Sequence, residues 1–204
     1  MSEAGTKMKS GKVYHFKITL KGIKPLICRR IQVPETYSFW DLHVAIQDSM
    51  GWTDSHLHNF EIINPSTRRK EEIGLPDDDF RENKMFPGWK RKIANYFSTR
   101  NDKANYIYDY GDHWEHSVKL EKILIREPGI EYPVCTGGAR ACPPEDCGGP
   151  PGYEDFLEAI MDPSHESYEE TLEWVGGDFD PEEFDIEDIV FDDPKERLKN
   201  ALSK

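Results

Sequence analysis

Fifteen residues, Tyr106 to Leu120, carry most of the side chains in this chain that could do chemistry. They read Y-I-Y-D-Y-G-D-H-W-E-H-S-V-K-L, and a Pro/Gly-rich loop downstream adds Cys135, Cys142 and Cys147. A carboxylate beside an imidazole, as Asp109 would be beside His116, fixes a tautomer and supplies an oriented metal ligand or a proton carrier. The equally plain role for that pair is a satisfied core hydrogen bond next to Trp114. Three thiols spaced C-x6-C-x4-C leave one vertex of a zinc tetrahedron open, with His116 the nearest donor and His113 the second choice. Such spacing is wider than most structural zinc pairs, so free thiols or a local disulfide stand as the alternative. Metal-dependent hydrolysis would need one of Cys135, Cys142, Cys147 and His116 to leave the zinc, with Asp109 or Glu115 acting on a bound water. A Cys142 nucleophile served by His113 or His116 lacks an identifiable oxyanion hole.

The elements that must position these residues follow from local pattern. Gly111-Asp112 sits between two β-forming runs and predicts a two-residue hairpin loop. That register pairs Tyr110 with His113, Asp109 with Trp114, Tyr108 with Glu115 and Ile107 with His116. Tyr106, Tyr108, Tyr110, His113, Glu115 and Ser117 then form a half-wet face, while Ile107, Asp109, Trp114, His116, Val118 and Leu120 form a buried one. Upstream, Val13–Leu20 alternates as a half-buried strand and Leu26–Val33 returns as a second, with Cys28 a small buried hydrophobe. Ser38 and Asp41 form a capping box for a helix with Phe39, Leu42, Ile46 and Met50 on one stripe, ended by Gly51; His43 reads as a surface residue of it. Leu57–Ile63 is a third strand, and Thr67–Phe86 an irregular excursion with a short helical turn. Stripes at Tyr153, Phe156, Leu157, Ile160 and at Tyr168, Leu172, Val175 predict two helices. Asp180-Pro181 and Asp193-Pro194 predict two further helix starts. The acidic run Asp178–Asp188 fails the calcium-loop pattern, because Glu183 stands where glycine is required.

Hairpin, helix, strand is the opening order of a β-grasp-like α+β fold with a mixed sheet. Residues 1–11 read as a disordered lead, 12–190 as one domain that turns helical and acidic from about 150, and 191–204 as a helical tail.

The net charge of -13 is unevenly placed. Residues 150–204 hold 18 acids and 4 Lys or Arg, net -14, leaving 21 acids and 22 bases, net +1, in residues 1–149. That balance argues against broad nucleic-acid binding and for an acidic end that docks a basic protein partner. The one basic-aromatic run, Trp89, Lys90, Arg91, Lys92 and Tyr96, could stack and neutralise nucleic acid, or form a short helix whose cations face the acidic end. With no apolar run long enough to span a bilayer and no signal-like start, a cytoplasmic protein with reduced thiols is expected.

Y-H-F-K-I-T-L-K-G-I-K-P-L-I-C-R-R-I-Q-V-P near the start, Y-D-Y-G-D-H-W-E-H at 108–116, A-C-P-P-E-D-C-G-G-P-P-G-Y at 141–153 and W-V-G-G-D-F-D-P-E-E-F at 174–184 resemble the plasmid pRiA4b ORF-3-like family. The resemblance implies a compact intracellular α+β protein of the kind found in bacteria, archaea and mobile elements. It puts Asp109, Asp112, Trp114, His116, Cys142 and Cys147 at the motif centre and carries no activity with it. The reading that results is a non-enzymatic interaction module, with or without a structural zinc. A metal-dependent hydrolase is the alternative, and a nucleic-acid-associated protein comes third.

Overall fold

Alternation in the first forty residues becomes an antiparallel hairpin of β1 (Lys12–Leu20) and β2 (Cys28–Pro34), paired from Val13↔Pro34 to Thr19↔Cys28. Tyr14, Phe16, Ile18 and Leu20 fall on one buried face, each contributing roughly 1.5–3 kcal/mol of apolar burial. Ser38 then caps α1 (Phe39–Met50): its hydroxyl accepts from the Asp41 amide while the Asp41 carboxylate accepts from the Ser38 amide, and Gly51 closes the helix in the left-handed region. Phe39, Leu42 and Ile46 of α1 pack into the same core as the hairpin face. Cys28 is buried, as a small apolar side chain should be.

The computed structural model describes residues 11–76 and 85–203, so the expected lead, apart from Gly11, and the Asp77–Asp79 part of the excursion fall outside the described residues. After α1 come β3 (His58–Ile63), β4 (Lys70–Gly74), β5 (Phe86–Pro87), two 3-10 turns (Gly88–Lys90 and Ile93–Asn95), β6 (Lys103–Tyr108), β7 (Trp114–Ile125) and β8 (Val134–Ala139). Three helices follow: α2 (Gly149–Met161), α3 (Tyr168–Val175) and α4 (Pro194–Ala201). The strands form one mixed sheet of eight in the order β5-β4-β3-β6-β7-β1-β2-β8, antiparallel throughout except for the short parallel pair β4-β5. Fold class is therefore α+β. Among the described residues no helix is long and apolar enough to cross a membrane.

Lys70–Gly74 and the Asp180-Pro181 helix start depart from the sequence expectation. Lys70–Gly74 is a strand rather than part of an irregular excursion, paired Phe60↔Ile73 with β3. A single buried isoleucine among charged residues gives too weak an alternation to read, and the turn is built by Asn64, whose side chain accepts from the Ser66 and Thr67 amides at 2.8 and 3.2 Å. At Asp180-Pro181 the helix start produces one turn, Asp180 Oδ1 accepting from Glu182 at 2.8 Å, and goes no further. The next residues lack an apolar stripe, and Phe184 is drawn off to lie 4.3 Å beneath the Arg29 guanidinium. The Asp193-Pro194 start does produce α4, with Asp193 Oδ1 accepting from Lys195 at 2.9 Å.

Candidate functional site

The hairpin between β6 and β7 closes on Tyr108↔Trp114 and leaves five residues, Asp109–His113, in the turn. The left-handed backbone positions are Asp109 and His113, both at φ 56°, and the His113 amide donates to the Asp109 carbonyl at 2.7 Å. Gly111 itself is not in the left-handed region. Its amide donates to Asp109 Oδ1 at 2.8 Å, and a Cβ there would approach that oxygen to 3.2 Å. The expected two-residue loop is thus incorrect, and the register moves by one residue, which exchanges faces along one strand relative to the other. Tyr106, Tyr108, Trp114, His116 and Val118 now share the buried face, opposite an outer face with Ile107, Glu115 and Ser117. The half-wet tyrosine face does not exist.

His116 is fully buried, edge-on to Trp52 at 5.3 Å, and neither ring nitrogen makes a well-formed hydrogen bond. Burial pulls its pKa down to about 4, only partly offset by the neighbouring Tyr106 and Trp114 backbone. Asp109 is not its partner. The Asp109 carboxylate lies instead 3.6 Å from His56 Nε2, and the Asp109 amide donates to the Leu57 carbonyl at 2.9 Å, tying the turn to the loop after α1. Trp114 is buried against Trp52 at a centroid distance of 6.0 Å.

The turn and the cysteine loop do meet, but through carboxylates and backbone rather than through thiols. Asp112 Oδ2 accepts from the Gly148 amide at 3.1 Å, and Glu145 accepts from the Tyr108 and Thr53 hydroxyls. Burial, reinforced by Glu145, holds the Tyr108 phenol well above its ordinary range. Trp52 Nε1 donates to the Pro143 carbonyl at 2.9 Å, and Asp146 Oδ1 stands 2.9 Å from His56 Nε2. Gly149, at φ 70°, packs so tightly on the turn that a Cβ would come within 2.4 Å of the Asp112 carbonyl oxygen. Gly149→Ala is expected to cost about 2 kcal/mol, from left-handed strain plus the steric displacement of α2 from the turn, read as a lower urea midpoint at unchanged slope.

No three of Cys135, Cys142, Cys147 and His116, the set expected to hold zinc, bring ligand atoms within 4.8 Å of one another. Cys142 lies 3.2 Å from both the Arg29 guanidinium and the Met50 sulfur, whereas Cys135 contacts the Gly137 carbonyl at 3.5 Å and Cys147 lies near Asp112. Burial pushes Cys142 up to about 11 and Cys147 up to about 12, so both are protonated thiols at neutral pH and neither is an activated nucleophile. The basic-aromatic run is dispersed as well. Tyr96 is buried and donates to Glu71 at 2.7 Å, Arg91 lies 4.3 Å over Phe86, Lys92 donates to the Thr36 carbonyl at 2.8 Å, and Trp89 and Lys90 sit in a 3-10 turn rather than a helix.

Two groups of ligand atoms that gather within 4.8 Å had no sequence reading: His43 with Asp54 and His58, and His56 with Asp109 and Asp146. The signal was D-S-H-L-H at 54–58, which lies between a helix and a strand and has no periodicity of its own. His43 is buried rather than on the helix surface. Its Nδ1 meets the Tyr106 hydroxyl and its Nε2 meets Asp54 Oδ1, both at 2.8 Å, and its ring stacks on His58 at 3.4 Å with 8° between planes. Both His43 nitrogens are engaged, and in-plane lone pairs of parallel rings cannot converge on one ion, so this group is a core hydrogen-bond network. Burial and the adjacent His43 hold His58 well below its ordinary pKa.

Three comparisons bear on this chain. The model of the plasmid pRiA4b ORF-3-like protein family matches residues 12–188, a stretch that ends before α4. An uncharacterized protein, y4hQ, of Sinorhizobium fredii (strain NBRC 101917 / NGR234) is 39% identical over 169 residues, 82% of this chain and 84% of the relative. The crystal structure of MM3350, a protein of unknown function from Methanosarcina mazei Go1, is 52% identical with a TM-score of 0.83, covering 89% of this chain and 99% of its own.

Proposed function

We propose that this chain, which belongs to the plasmid pRiA4b ORF-3-like protein family, is a non-enzymatic interaction module that receives a basic peptide segment of a partner protein between α2 and α3. The observation that carries the reading is a cleft of 530 Å³ whose lining, among the described residues, includes Asp146, Asp155, Glu158 and Glu170, one histidine, His165, and no Lys or Arg. Its floor is apolar, with Phe156 and Trp174 in edge contact at 5.9 Å, and Trp174 remains 50% exposed. An exposed indole beside carboxylates suits a guanidinium or ammonium, which gains a cation–π contact and ion pairs in one place. The β-grasp-like sheet is then the scaffold, and the net -14 of residues 150–204 steers a cationic partner toward the cleft.

Fluorescence anisotropy with a labelled eight-residue Arg-Leu repeat peptide tests this. Binding is expected that weakens on raising salt from about 50 to 300 mM and that drops at least tenfold in Glu158→Lys/Glu170→Lys. A control reversal outside the cleft, Glu187→Lys/Asp188→Lys, is expected to change it less than twofold. Equal losses in the two double variants would reduce the interaction to unspecific charge attraction and end the proposal.

A further inference from the structure

We infer that the junction of the 52–57 loop, the Asp109–His113 turn and the cysteine loop binds one divalent transition-metal ion, of the Zn2+ or Mn2+ class, through His56, Asp109 and Asp146. His56 Nε2 is enclosed and makes no aligned hydrogen bond, although Asp146 Oδ1 lies 2.9 Å away and Asp109 Oδ2 3.6 Å away. Ligands held at bonds of about 2.1 Å in a tetrahedron sit about 3.4 Å from one another, and the two measured separations straddle that value. One imidazole nitrogen and two carboxylates are a donor set suited to Zn2+ and Mn2+. The three residues come from separate segments, and each segment is fixed by other bonds: Asp109 by its amide to Leu57, the cysteine loop by Gly148 to Asp112, and the 52–57 loop by Thr53 to Glu145. The donors converge because the fold brings them together, so no ligand search is left to the ion. Asp146 is 68% exposed, which provides the entry path, and three protein ligands leave a coordination position for water or a partner group.

The ion would also join the thiol-bearing loop to the hairpin without using a thiol. Asp146 lines the acidic cleft as well, but the site rests on the donor geometry and not on the peptide reading. The test is calorimetric titration of the full chain, stripped with a chelator, with ZnCl2 and with MnCl2. One equivalent of at least one ion is expected to bind at micromolar affinity or better. His56→Ala and Asp146→Asn should each weaken it at least tenfold, and Cys135→Ser/Cys142→Ser/Cys147→Ser should retain it. Circular dichroism checks folding, and the exposed Asp146→Asn suffices if His56→Ala is unfolded. The inference is overturned if neither ion binds, if both donor variants bind as tightly as the parent, or if the serine variant alone loses the ion. Peptide binding measured in chelator is a separate result: its absence removes the cleft reading and leaves this one standing.

Discussion

Between pH 7 and pH 4 the protein is expected to lose about 3 kcal/mol of stability through His116 alone, and His116→Phe should abolish that portion of the loss. The unfolded imidazole titrates near 6.5 and the buried one near 4, because burial disfavours its charged form. Within that window the unfolded chain binds a proton that the fold refuses, so stability rises with pH up to about 6.5 and then levels off. A gap of about 2.5 pH units at about 1.36 kcal/mol each gives the magnitude. His58, held low by burial in the same way, adds to the acid sensitivity and keeps its share in the variant. At pH 7 His116→Phe should change stability by less than about 1 kcal/mol, since no well-formed hydrogen bond is broken and a ring of similar shape replaces a ring. Urea titrations of both proteins from pH 4 to 8 make the comparison. Parallel curves would show that His116 is not the residue responsible.

Arg197→Ala is expected to destabilise the fold by about 3 kcal/mol and to undock α4. Arg197 Nη2 pairs with Asp48 Oδ1 at 2.7 Å and with Asp192 at 2.9 Å, and its other terminal nitrogen approaches Asp54 at 3.9 Å. Asp48 sits on the buried side of α1 with a side chain only 3% exposed, and burial already raises its carboxyl above the ordinary range. Without the guanidinium it keeps, among the described residues, only the Asp192 amide, at 3.0 Å, as an inter-segment donor. An uncompensated buried carboxylate escapes by taking up a proton, so the deficit should shrink as the pH is lowered. Asp48→Asn in the same chain should recover more than half of it. Trp40 offers a local readout because its indole donates to the Pro194 carbonyl of α4 at 2.7 Å. Additive losses in the double variant would mean that the pair is not the cause.

What the sequence disclosed and what it hid divide along a physical line. Ser38, Asp41 and Gly51 act within one turn of their own helix, so their types alone located α1. The alternation of β1 and the stripes of α2 and α3 are equally local, and all three elements form where they were read. The turn at 109–113 was misread because glycine marked a close approach to a carboxylate, while the left-handed positions fell on Asp109 and His113, residue types that tolerate them. One misplaced turn then moved Tyr106 and Tyr108 to the wrong face. The meeting of this turn with the cysteine loop was expected through the three thiols and His116. The atoms that make the contact, on Glu145, Asp146 and Gly148, were not, because thiols draw attention that adjacent acids do not. His43 was read as a surface residue because its partners Tyr106 and His58 come from strands across the sheet, 63 and 15 residues along the chain.

The central claim, that the acidic cleft between α2 and α3 is the partner-binding surface, is met most directly by chemical-shift mapping. Uniformly 15N-labelled protein would be titrated with the Arg-Leu peptide at two salt concentrations. Amide shifts concentrated on residues 155–174, together with movement of the Trp174 indole resonance, are the expected result. Shifts centred on the acidic stretch 178–188, or scattered over the whole surface in proportion to charge, would contradict it.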